Sequence, residues 1–112
     1  MRPLCLCLAA VLAIPTLGLA ADPVDYARDV KPLLAKHCYQ CHGAKAQKGG
    51  LRVDTVQSLK EGGDTGPAVV RGQPEQSLLW ESVSADQMPP GKTKLTAAEK
   101  EKLRQWIAGG AK

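Results

Sequence analysis

Residues 37–43 read HCYQCHG. Two cysteines stand three apart, and a histidine follows the second at once. No other pattern in the 112-residue chain constrains its fold as tightly. Three residues is close to one helical turn, so both sulfurs must lie on one face, with the His42 imidazole beside them. Such a grouping serves a thiol–disulfide couple, part of a zinc site, or an anchor for a porphyrin.

A structural zinc site wants four ligands, usually in two spaced pairs. Here there is one pair after the N-terminal apolar run, and both histidines, His37 and His42, are crowded against it. A redox dithiol is expected beside a βαβ pattern, and no such pattern is present. Cys-x-x-Cys-His is the attachment signature of c-type haem. Its two thiols add across vinyl groups on neighbouring pyrrole rings, and imidazole is a good ligand for haem iron. The motif therefore points to one haem c held by Cys38 and Cys41, with His42 on the iron. Tyr39 and Gln40 fill the two positions of which that chemistry asks little.

The N-terminus supports this reading. Arg2 precedes an apolar run from Leu4 to about Leu19, and small residues close it. This is the pattern of a secretory signal peptide over residues 1–20, leaving a cytochrome-sized domain over 21–112. The run is shorter than the roughly 20 residues of a membrane span and is broken by Pro15 and Gly18. Thioether attachment belongs outside the cytoplasm, so a periplasmic location is expected, without stable membrane insertion once the leader is gone.

The remaining chain reads as short helices joined by long loops. Tyr26, Val30, Leu33 and Leu34 recur at helical spacing, and Asp25 can cap their start. Pro32 either kinks this helix or opens a new one. Asp54 or Thr55 can cap a short helix through Leu59. The stretch GQPEQSLLWESVS reads as a helix with Pro74 and Glu75 in its first turn. Thr96 and Glu99 form a capping-box pattern, Leu103, Trp106 and Ile107 repeat at helical spacing, and Gly109 and Gly110 stop the last helix. Loops this long are unusual in a compact domain without a reason. Phenylalanine is absent, and a large flat ligand would supply the missing bulk.

Met88 is the only methionine after residue 20. It lies in a loop stiffened by Pro89 and Pro90, which suits a thioether held on the iron opposite His42. His37 directly precedes Cys38, so it does not reach the far haem face and reads as a solvent-facing helix-end residue. The His42 ring should donate its other proton to a backbone carbonyl, near Gly50 or Pro67. With both axial positions filled, the iron suits one-electron transfer rather than catalysis, so the chain reads as an electron carrier and not an enzyme. A haem-based gas sensor, in which Met88 leaves the iron, and an electron-entry subunit of a larger oxidoreductase stay open. The formal net charge is +4, with no run of like charges. Nucleic acid is thus not an expected partner; redox proteins are, with the chain itself a monomer. Lys45, Lys48, Lys92 and Lys94 lie near the motifs.

The stretches CYQCHG, KGGLRVD, GGDTGPAVVRGQPEQSLLW, MPPGKTKLTAAE and WIAGGA together resemble the planctomycete-type cytochrome c domains, across nearly all of residues 25–111. The resemblance implies the all-α cytochrome c fold, with three to four short helices and long loops wrapped around one covalent haem. It implies crossed N- and C-terminal helices, with Tyr26 and Val30 meeting Leu103 and Trp106. Cys38 and Cys41 match the thioether cysteines, His42 the proximal ligand and Met88 the distal one. Arg52 falls where such domains place a polar group near the haem propionates, and Trp80 falls where a side chain lines or supports the pocket.

Overall fold

The computed structural model describes residues 12–15, 18 and 22–112. The leader expected over residues 1–20 falls mostly outside them. Among the described residues no helix is long and apolar enough to cross a membrane.

A wide π-type turn over Tyr26–Val30 runs straight into α1, Lys31–His37. Its opening is capped as the sequence suggests: the Asp25 carboxylate accepts the Arg28 amide at 2.7 Å. Pro32 explains the change of register. Its ring lacks an N–H and crowds the carbonyl four residues back, and the Lys31 amide reaches back five residues, to the Tyr26 carbonyl. After the motif come α2, Val56–Glu61, and α3, Leu78–Ser84, then the long α4, Ala97–Ala108. Thr55, not Asp54, caps α2, its hydroxyl accepting the Ser58 amide at 3.0 Å. Among the described residues there is no named strand, only two isolated bridges. The architecture is all-α with long loops.

One expected helix is cut in two. Residues 74–76 form a short 3₁₀ turn, and α3 begins only at Leu78. The cause is Ser77, which is fully buried. Its hydroxyl accepts the Val70 amide at 2.9 Å and donates to the Gln73 carbonyl at 2.9 Å. That side chain competes with the helix for backbone groups and folds the 70–77 loop under α3.

α4 ends and begins as its sequence dictates. Thr96 Oγ1 accepts the Glu99 amide and Glu99 Oε1 accepts the Thr96 amide, both at 3.1 Å. Gly109 closes the helix and Gly110 adopts φ +106°. Its Leu103, Trp106 and Ile107 enter one apolar cluster with Val30, Leu33 and Leu34. Tyr26 and Trp106 stack with ring centroids 5.3 Å apart, so the N- and C-terminal helices meet as the resemblance implied. Leu59 from α2 and Val83 from α3 join the same cluster. Arg71 Nε reaches the Gly110 carbonyl at 2.6 Å, and the Gly72 amide donates to the Ile107 carbonyl at 2.8 Å. These contacts tie the loop to the end of α4.

Candidate functional site

The Cys38–His42 segment leaves α1 as one more tight turn. The His42 amide donates to the Cys38 carbonyl at 2.9 Å and the Cys41 amide to the same oxygen at 3.2 Å. That coil keeps both cysteines on one side. Gly43 follows because nothing larger fits: a Cβ there would sit 2.6 Å from the Tyr39 carbonyl oxygen. The loop is then drawn back across the motif. The Lys48 amide donates to the Cys41 carbonyl at 3.0 Å and the Val53 amide to the His42 carbonyl at 2.9 Å.

These residues border a cleft of two adjoining cavities, of about 210 Å³ and about 220 Å³. Cys38, His42, Lys48, Gly49, Leu79 and Met88 line both. Leu51, Val53 and Ala68 wall one of them; His37, Cys41, Val83, Pro89 and Pro90 wall the other. A larger groove of about 640 Å³ lies at Tyr26 and Trp106, with no residue of the motif on it. Chemistry, not size, marks the first as the candidate site.

Both thiols are free. Burial, with the neighbouring Cys41 adding to it, pushes the Cys38 thiol up to about 11. A reactive redox cysteine needs the opposite shift, toward thiolate at neutral pH. A thiol facing an apolar cleft suits thioether bonding to an apolar ring. His42 Nδ1 is buried without a hydrogen-bond partner. The expected carbonyl acceptor near Gly50 or Pro67 is therefore not engaged. Met88 stands on the same cleft, 43% exposed, with its amide bound to the Ser82 carbonyl at 3.1 Å. A cysteine pair, an imidazole and a thioether thus share apolar walls, and this donor set fits a covalently held haem.

Two residues, His37 and Tyr39, depart from their sequence reading. His37 is not solvent-facing: its side chain is 3% exposed, and Nε2 lies 2.8 Å from Glu99 Oε2. Tyr39 is no neutral filler. It packs against the core with its hydroxyl buried and unpartnered, and burial, with Tyr26 beside it, pushes its phenol up to about 12. Arg52 is engaged by Asp54, Nη2 to Oδ2 at 2.6 Å, and is absent from the cleft walls. The Arg52 hydrogen bond holds the Asp54 carboxyl below its ordinary value, outweighing the opposing effect of burial. Trp80 is partly buried against the apolar cluster and also stands off the cleft. The walls that sequence reading passed over are Leu79 and Val83. They lie four apart on α3 and so share its inner face.

An all-α domain whose Cys-x-x-Cys-His motif opens on an apolar cleft has the architecture of a c-type cytochrome domain. Residues 38–92 match the family described as Planctomycete cytochrome C, so that span is similar to a cytochrome c-like domain family. Haem-based electron transfer is the general chemistry this match suggests. Neither a curated protein nor a solved structure matches the chain.

Proposed function

We propose that the chain is an exported one-electron carrier. Cys38 and Cys41 hold one haem c through thioether bonds, and His42 and Met88 ligate its iron. The single observation behind this reading is the convergence of the motif and Met88, some forty-six residues further on, upon one apolar cleft. The bound group supplies one-electron exchange at iron. The chain binds and orients it and keeps water away. Leu79, Val83, Pro89 and Pro90 supply apolar walls. The turn bonded at Cys38 fixes where the His42 ring begins. With haem bound, a Met88 thioether on the iron would favour the reduced state and raise the potential. Arg52 and Trp80 act at one remove, Arg52 through Asp54 and Trp80 through the packing of α3. The carrier works in the periplasm between redox protein partners and does not bind nucleic acid.

The test is a visible spectrum of the exported protein, oxidised and dithionite-reduced, with a mass measurement on the denatured chain. The expected result is a low-spin spectrum and a mass exceeding the polypeptide by one haem. Met88→Ala should keep that mass and open the iron to carbon monoxide, which the parent should refuse. Ready uptake by the parent would favour the gas-sensor reading. A colourless protein with the mass of its amino acids alone would overturn the proposal.

A further inference from the structure

Beside the motif, a part-buried contact between His37 and Glu99 joins residues 62 apart in the chain. The His37 ring is nearly closed off and lines the same cavity as Cys38, Cys41 and Met88. It is the last residue of α1, where the helix dipole favours a cation. Glu99 is held ionised. Burial raises its carboxyl, but the Thr96 amide and the His37 ring more than offset this, and it lies below its ordinary value.

We propose that the His37–Glu99 pair is a proton-binding site coupled to the electron carried at the motif, so that reduction of the domain takes up a proton on His37. The inference rests on the haem reading above. The balance is simple. A redox partner supplies one electron and solvent supplies one proton; the imidazole becomes imidazolium, and the net charge of the domain is unchanged. Reoxidation releases both.

The charges around His37 make it responsive. From α4 the facing group is Glu99; Lys100 is tied instead to Asp86 at 2.8 Å. From the Met88 loop, Lys94 Nζ is bound to the Pro89 carbonyl at 2.5 Å, and Pro89 lines the cavity. From the loop after the motif, Lys48 lines it too. On its own segment stand Cys38, Cys41 and His42, of which the cysteines no longer titrate once bonded as thioethers. Glu99 puts negative charge beside the ring, and the positive charges of Lys48, Lys94 and the oxidised iron stand in opposition. One added electron removes part of the opposition inside a shielded cleft, where charges interact more strongly than in water.

The experiment is the midpoint potential of the haem-loaded protein as a function of pH, between about pH 5 and pH 8, where histidine titrates. The parent's potential should fall as pH rises. Full coupling is a tenfold change in the reduction equilibrium per pH unit, about 59 mV for a one-electron couple. His37→Gln should flatten the line. Glu99→Gln keeps a capping-box residue while deleting the charge, so its sloping region should persist and move to lower pH. A merely structural pair would not move that window. A flat parent, or a parent slope retained in His37→Gln, would overturn the coupling while leaving the haem reading intact. A colourless, haem-free parent would overturn both.

Discussion

Where the N-terminal turn and α1 meet α4, Val30, Leu34, Leu103 and Ile107 are fully buried among one another. Around the motif, Leu51, Leu79 and Met88 face a hollow instead. The two regions are also fastened differently. The helical region is held by side chains: a capping box at Thr96 and Glu99, an aspartate cap at Asp25, and the Tyr26–Trp106 stack. The cleft region is held by backbone bonds across glycine-rich turns. The Asp64 amide donates to the Gly49 carbonyl at 2.9 Å, and Gly62, at φ +74°, would bring a Cβ within 1.9 Å of the Gly66 oxygen. The family match, residues 38–92, covers the cleft walls except His37 and stops short of both terminal helices. Side chains pack closely against one another in the first region, whereas those of the second line an apolar cleft.

The largest effect should come from denying the cleft its occupant. Cys38→Ala with Cys41→Ala removes both thioether bonds and, on this reading, the group whose binding stabilises the folded state. A small domain has only about 5–15 kcal/mol of total stability to lose. The double variant should lose most of its helical circular dichroism and its cooperative thermal transition. Undiminished helicity with a sharp melt would mean that the cleft supports itself, and the contrast between the regions would fail.

The same contrast explains how much could be read in advance. Local rules reached the helix ends: Thr96 with Glu99, Asp25, and the glycines after Ala108 all act as their spacing says. They reached the motif because its chemistry is packed into five consecutive residues. They failed where a side chain acts across the fold. Nothing local pairs His37 with Glu99, since both already had adequate local roles, one as a helix end and the other as a capping-box member. Ser77 looked like mid-helix because its neighbours suit a helix; its hydroxyl answers to Val70, seven residues back.

A pair of matched truncations sharpens the comparison. Leu103→Ala in the helical core removes a side chain with no solvent exposure and should cost about 2–5 kcal/mol, read as a lower denaturation midpoint with an unchanged visible spectrum. Leu79→Ala, on the cleft wall, should cost less in stability, because its side chain is only partly buried. Its effect should appear in the spectrum and potential, through water reaching the bound group. Equal stability losses with no spectral change at Leu79 would erase the distinction between the two regions.

The smallest effects test whether the two regions communicate. Thr96→Ala removes the hydroxyl that accepts the Glu99 amide and should cost about 1 kcal/mol, as capping losses do, at every pH where the domain is folded. Glu99 behaves differently, because its carboxyl is depressed in the folded state. A depressed carboxyl contributes stability that is fully present above its ordinary value of 4.5 and is lost as pH falls through the lower folded value. Glu99→Gln should therefore be less stable than the parent near neutrality and converge on it in acid, while Thr96→Ala stays offset throughout. Thermal melts across that acid range decide the matter: a Glu99→Gln deficit that does not shrink in acid would mean the carboxylate's charge adds nothing to holding α4 against the end of α1.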